Sequence, residues 1–496
     1  MGIVAKQTIK GSVWSYLGAL IGAVNVAILM PRFFSEEQIG LTSILITFSV
    51  MFSQFSSLGV QGVTNFFFPL FRNPEKKHNG FFTLMNIITF AGFVLFSIVY
   101  FFFKDAIVAS KADNSLLVSN SFYILPLTFF TLLFLVYDNY NTILYDSVTG
   151  VFLKEFLFRV LNLIIVIFYF FELISFDAFI FLYVFSLSLP GILMLIILLL
   201  RGEASLKSIN LSIFNKHKKE IISVALFSLI SGFGVMSVSY IDKYMTNYYL
   251  GLAVTGIYTI ASYISSLIQI PARSMTKILT PIISENWRSG NNSQLQSIYL
   301  KSNLVQFLAG SFIFLLIWIN IDIVFLIIPE QYSAGKYVVL LIGLANVINS
   351  FGGSGQIVLQ VSDGYKYATY FIFILLAITV IANIILIPPL GIIGASIGTL
   401  FATLGYVFLK ILFLKRRYGL VTFDKNHLFG FVFFVIALLC AEFIDPFQNV
   451  VLNDIFKTFI LLLVSVFLLL YTNLFIDNKI TKEYLQRALS FFNRKT

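Results

Sequence analysis

Apolar runs of about twenty residues, following one another with only short polar breaks, constrain this chain more than any other feature. "FIFLYVFSLSLPGILMLIILLL" (179–200) and "FILLLVSVFLLLY" (459–471) are two of them. At ~1.5 Å rise per residue, a helix of ~20 residues spans the ~30 Å hydrocarbon core of a bilayer. A water-soluble fold carries roughly 25% charged residues, whereas this chain has 11% charged and 58% hydrophobic residues. It is therefore expected to be an all-α polytopic membrane protein. The runs are continuous rather than alternating, which argues against a membrane β-barrel.

About fourteen spans are expected, among them 11–30, 39–64, 149–171, 220–241, 250–270 and 391–414. The first run is long, lacks an A-x-A-like cleavage site and leads directly into further spans, so it reads as a retained helix. Cys440 is the only cysteine and excludes an intrachain disulfide.

The net charge of +10 has a topological explanation. Alternating the spans from a cytoplasmic N-terminus puts 27 of the 33 Lys+Arg on the inside, and 12 of the 23 Asp+Glu outside. That is the positive-inside pattern. Both termini are then cytoplasmic, and no nucleic-acid partner is needed to account for the charge. The tail after 477 reads either as an amphipathic helix on anionic membrane lipids or as a solvated segment.

The chain also repeats itself. "PRFFSEEQIGL" (31–41) and "DKYMTNYYLGL" (242–252) carry the same residue types in the same order, 211 residues apart. The first span thus corresponds to the seventh. Six spans per copy gives both copies one polarity, as in parallel repeats related by an axis along the membrane normal. The expected organisation is a lobe at 1–200, a cytoplasmic linker at 201–219, a second lobe at 220–414, two further helices in 415–476 and a basic tail at 477–496. Both quoted motifs are expected in loops on the outer side.

In "NIILIPPLGIIGASIGTLFA" (383–402), Pro388, Pro389 and Gly391 make a tight hairpin, and Gly394 and Gly398 a face for close helix approach. The pattern of Asn383, Leu386, Pro388, Gly391, Gly394 and Ala395, with "RFFSEEQIGL", resembles bacterial polysaccharide-export (Wzx-type) flippases of the multidrug/oligosaccharidyl-lipid/polysaccharide superfamily. The resemblance extends over the whole chain in span number, repeat and motif order. It implies transport of an undecaprenyl-diphosphate-linked oligosaccharide from the inner to the outer leaflet of the bacterial cytoplasmic membrane. Implied partners are that substrate, membrane lipids, and a glycan polymerase or glycosyltransferases of the same pathway.

Such cargo needs cations for its diphosphate and hydrogen-bonding groups for its glycan. A charge near the centre of a span is costly and usually faces a cavity. The candidate cations are Arg32, Lys154, Arg159, Lys243, Arg273 and Lys277. Each has a plainer reading: snorkelling for Lys154 and Arg159, helix-end charge complementation for Arg32 and Lys243, and positive-inside placement for Arg273 and Lys277. Glu155 can pair with Arg159 at i,i+4. Asn25, Asn86, Asn346, Asn349 and Gln356 are glycan-binding candidates, with Gln54, Asn65 and Gln360 as further polar positions; interhelical packing is the commoner use of such residues. Asp242 is expected to pair across the outer gate.

No carboxylate is expected deep in spans 1, 2, 7 or 8, which weighs against a cation antiporter. A peptidoglycan-precursor flippase of the same architecture is a further alternative. No P-loop and no metal-ligand spacing of His, Cys and Asp occurs in the sequence, and the outer loops are short, which disfavours a membrane glycosyltransferase. No cofactor is expected; coupling to an H+ or Na+ gradient or to the membrane potential is, with no residue assigned to it.

Overall fold

The computed structural model describes residues 2–112, 114–206, 209–443, 447 and 449–471. The basic tail expected at 477–496 lies outside them. The described residues are helical with short connections. We number the membrane helices α1 (2–33), α2 (36–71), α3 (81–108), α4 (115–143), α5 (148–170), α6 (176–200), α7 (211–250), α8 (252–288), α9 (292–319), α10 (336–361), α11 (365–390), α12 (392–418), α13 (425–443) and α14 (450–471). Ten segments among the described residues are long and apolar enough to cross a membrane. Two of these, Ser212–Arg288 and Tyr365–Tyr418, each contain two helices joined end to end at a glycine. The joint at Gly251 has φ 83° and that at Gly391 has φ 60°, values that side-chain-bearing residues rarely adopt. With α5 and α14, the described helices account for the fourteen expected spans.

Local sequence sets the joints. Ser35 caps α2 through a capping box: its hydroxyl accepts from Gln38 N at 3.3 Å, and Ser35 N donates to Gln38 Oε1 at 3.0 Å. Glu36 and Glu37 occupy the first turn, where carboxylates complement the helix dipole. The corresponding stretch at 242–252 behaves differently. It has no breaker before Gly251, so α7 continues through Asp242 and Lys243 to Leu250. The loop expected there is helix.

The first six helices meet the next six in a paired arrangement. α2 and α8 cross where a Cβ on Gly40 would lie 2.0 Å from Leu252 O, and one on Gly256 2.0 Å from Glu36 O. Between them Thr259 donates to Ser43 at 2.8 Å, across 216 residues. Glu36 and Leu252, and Gly40 and Gly256, have that same separation. The spatial register is therefore 216 rather than 211. Aligning Gly40 with Gly251 matched a contact glycine to a joint glycine.

The same end carries two matching ties. Arg32 Nε donates to Ile327 O at 2.8 Å. Lys111 N donates to Tyr248 O at 2.7 Å, and the Lys111 ammonium lies 4.6 Å from the Tyr249 ring centroid. Arg32 and Tyr248, like Lys111 and Ile327, are again 216 apart. The opposite, basic end gathers the α2–α3, α4–α5 and α6–α7 connections, held by Lys77 on Gly202 O at 3.2 Å and by Arg201 on Asp146 at 2.8 Å. Near that end α2 packs on α7, where Gly62 N donates to Ser228 at 3.1 Å. α1 packs there on α8, with Tyr16 and Ser274 hydroxyls 2.5 Å apart. α13 and α14 rest on α9: Asn320 bonds Thr458 at 2.8 Å and Trp318 bonds Glu442 at 3.3 Å.

Candidate functional site

A cavity of about 650 Å³ opens among α7 to α12. Its walls are largely apolar, but several helices turn amide, hydroxyl and charged side chains inward among the apolar ones. Of the sequence candidates, Lys243, Arg273, Asn346, Asn349, Gln356 and Asp242 line it, as does Gln360. Lys243 and Arg273 form no ion pair there among the described residues. Asn346 is tied to α8 around its 3-10 turn at Leu267–Gln269, donating to Ser265 O at 2.8 Å and accepting from Gln269 at 2.5 Å. Gln356 accepts from the Tyr406 hydroxyl at 2.6 Å.

Among the described residues, Asp242 does not make the cross-gate ion pair expected of it. The continuation of α7 carries it into the helix bundle, where three neutral donors surround its carboxylate. Asn383 of α11 donates to Oδ1 at 2.7 Å; Thr399 of α12 and Tyr258 of α8 donate to Oδ2 at 2.5 and 3.2 Å. Asn383 Oδ1, beside them, is buried without a hydrogen-bond partner. The expectation that α7 holds no deep carboxylate is thus corrected. The arrangement supplies oxygen ligands and one negative charge, the chemistry a proton or a small hard cation requires.

The other candidates lie elsewhere. Arg32 is exposed at the end of α1 and bonds Ile327 O. Lys277 reaches Ser15 Oγ at 3.4 Å, at the α1–α8 contact. Lys154 is exposed, with its ammonium 5.6 Å from the Phe134 ring centroid. Arg159 pairs with Glu155 at 2.7 Å and faces α1 and α8: a Cβ on Gly22 would lie 3.1 Å from Arg159 Nη1 and 2.6 Å from the Tyr263 hydroxyl. It therefore sits at the contact between the two sets of helices. Asn86 is committed to packing, donating to Phe82 O and accepting from Tyr137, both at 2.8 Å. Asn25 is buried in a wide π turn of α1, with its Oδ1 unpartnered. Gln54 bonds Gln61 at 3.3 Å, and Asn65 is exposed.

Sequence reasoning passed over Tyr258, Gln306, Thr399, Tyr406 and Lys410, all of which line the cavity. Lys410 precedes "KRR" by five residues and reads as part of the basic end. Its burial, at 1% exposure, is the departure from that reading, and periodicity alone does not reveal it.

A many-helix membrane bundle with two six-helix sets meeting in matched register, and a cavity carrying polar and charged side chains inside one of them, is a transporter fold. The particular likeness is to MurJ and MATE transporters. The chain is 12% identical to the lipid II flippase MurJ in an inward closed conformation, with a TM-score of 0.70 over 94% of this chain and 98% of that one. It is 15% identical to an inward-facing multidrug resistance MATE family transporter of the MOP superfamily, with a TM-score of 0.64 over 80% and 94% of the two chains. A MOP superfamily transporter from Pyrococcus furiosus, described by the reverse polarity of its binding pocket, matches with a TM-score of 0.53, 14% identity and 84% and 96% coverage. No protein-family model matches. In sequence the chain is 23% identical over 241 residues to an uncharacterized membrane protein of Methanocaldococcus jannaschii. That match covers 47% of each chain, so the chain spans about half the length of the curated relative it matches.

Proposed function

We propose that the protein is a flippase for an anionic, lipid-linked oligosaccharide, of the undecaprenyl-diphosphate type, working in the bacterial cytoplasmic membrane with both termini cytoplasmic. The observation that carries this reading is the pair Lys243 and Arg273, which line the cavity without an ion-pair partner among the described residues. Lys243 is half-buried and Arg273 exposed, so both present their charge to the cavity, where an anionic headgroup would accept charge-assisted hydrogen bonds from them. Asn349 and Gln360 add hydrogen-bonding groups for sugars, and the lipid tail stays in the bilayer. Alternating access would open and close the paired ties at one end against the α1–α8 and α2–α7 contacts at the other.

We assign coupling to Asp242. A proton or Na+ bound among Asp242, Asn383 and Thr399 links α7, α11 and α12, so its arrival or departure changes how three helices pack. This departs from an antiporter reading in one respect: the cavity holds both an anion-seeking pair and a cation-seeking carboxylate.

The test deletes the gene and measures lipid-linked glycans by leaflet. Accumulation of complete glycolipid on the inner leaflet is expected. A glycan short by one sugar would favour a glycosyltransferase. Altered drug tolerance with normal surface glycan would favour a multidrug antiporter. Arrested peptidoglycan synthesis would move the assignment to peptidoglycan precursors.

A further inference from the structure

α10 stops at Phe351 and resumes at Gly355. Broken helices at cavities are characteristic of transporter binding sites, and here the gap is filled by side chains from two other helices. A Cβ on Gly353 would lie 1.9 Å from Gln306 Oε1, and one on Gly352 would lie 3.3 Å from Lys410 Cε. Gln306 comes from α9 and Lys410 from α12. Each is 1% exposed, and both line the cavity.

Neither group is satisfied. Gln306 Nε2 is buried with no hydrogen-bond partner. Lys410 forms no ion pair among the described residues; its ammonium lies 5.0 Å from the Tyr406 ring centroid. The Tyr406 hydroxyl is already committed to Gln356. The Asp242 carboxylate is no counter-charge for Lys410, because its α12 partner Thr399 stands roughly 16 Å away along that helix. A buried ammonium and a buried amide N–H, both lacking acceptors, are each unfavourable. One compact oxyanion between them would satisfy both, and a lysine suits such point-charge recognition.

We propose that Lys410 and Gln306, at the break in α10, form an oxyanion subsite that takes a single carboxylate or phosphate group of the cargo. Only the assignment of the anion to cargo rests on the flippase reading; anion binding at this place does not. The group comes either from the carrier's diphosphate or from an acidic sugar of the glycan.

The experiment uses the full chain in nanodiscs of neutral lipid. Binding of inorganic pyrophosphate and of glucuronate is measured by thermal stabilisation, with glucose and sodium chloride at matched ionic strength as controls. The wild type is expected to bind one of the two anions. Lys410→Gln should weaken that binding by about tenfold or more, Gln306→Leu should weaken it by several-fold, and Lys410→Arg should retain most of it. Lys366→Gln, a substitution at an exposed residue outside the cavity, should leave it unchanged. Preference for glucuronate assigns the site to an acidic sugar, and preference for pyrophosphate to the carrier. Equal binding by wild type, Lys410→Gln and Gln306→Leu, or no anion binding by the wild type, overturns the proposal. If Lys410→Gln fails to fold, Gln306→Leu and Lys410→Arg decide. Should the anion bind as described while the deletion strain shows no inner-leaflet accumulation, the subsite stands and the flippase reading falls.

Discussion

Gly40→Ala tests how the two sets of helices are held together at the end away from the basic loops. The added Cβ would lie 2.0 Å from Leu252 O, where ordinary contact begins at 3.4 Å. α2 and α8 must therefore separate by about 1.4 Å, since neither backbone can yield as a flexible side chain would. Overpacking of this kind costs about 1–3 kcal/mol. Within a single core that would appear as lost stability. If the two sets of helices move apart as the proposed alternating access requires, it biases the equilibrium instead, by about 5- to 150-fold toward opening at that end. The reporter is the neighbouring contact between Ser43 and Thr259, whose hydroxyls are 2.8 Å apart. Cysteines replacing both, in a Cys440→Ser background, should cross-link readily when Gly40 is present, and several-fold more slowly with alanine there. Gly256→Ala, which strikes Glu36 O at the same distance, should have the same effect. Cross-linking at an unchanged rate in both variants would refute the claim that these glycines set the closed contact.

Arg32→Ala removes one of the two matched ties, a hydrogen bond contributing about 0.5–1.5 kcal/mol. Spin-label distances across that end should shift toward the open population by about 2- to 10-fold, and an unchanged distribution would leave Arg32 without a latching role. Asp242→Asn should leave the protein folded but make transport indifferent to imposed Na+ and proton gradients; retained gradient dependence would remove Asp242 from coupling. Asp146 lies in the α4–α5 connection. Partial burial raises its pKa, but hydrogen bonds from Thr149 and Arg201 outweigh this and hold the carboxyl at about 2. A depressed pKa stabilises the fold above the unfolded carboxyl's pKa, and that stability is lost as pH falls from about 4 toward 2. After allowance for solvent screening it amounts to about 1 kcal/mol. Melting curves against pH should show an acid-side loss in the wild type that is smaller in Asp146→Asn. Gly391→Ala places a side chain at φ 60° with no atom near enough to clash, so the cost is backbone strain alone, about 1–3 kcal/mol. A melting temperature equal to that of the wild type would show that the joint tolerates a Cβ.

Much of this molecule is local in origin and so is visible in its sequence. The apolar runs specify membrane helices, since each must satisfy its own backbone hydrogen bonds in lipid. "SEEQ" specifies a helix start because Ser35 and Gln38 bond each other within one turn. "PPLG" marks a hairpin because Gly391 alone there can take a positive φ. Several cavity residues, Lys243, Arg273, Asn346 and Gln356 among them, were also legible as polar groups in apolar surroundings. The errors arose where a local signal has two meanings. "DK" at 242–243 looks like a helix end, as a charged pair at a membrane boundary does, and nothing nearby distinguishes this from a charge carried inward.

Asp242 can lie inside the bundle because Tyr258, Asn383 and Thr399 reach it from three other helices. Lys410 can lie inside because Gly352 leaves space for its stem. Likewise, the register of 216 is decided by which glycines touch across α2 and α8 and not by resemblance between two turns. By itself the sequence determined that the chain crosses the membrane repeatedly, where most helices start and stop, and that cations and amides are available within it. Which of those groups share a cavity, and which merely pack or tie, was decided by the tertiary structure. The cost of a buried charge is set by neighbours far away in the chain, and hydropathy along the chain does not include them.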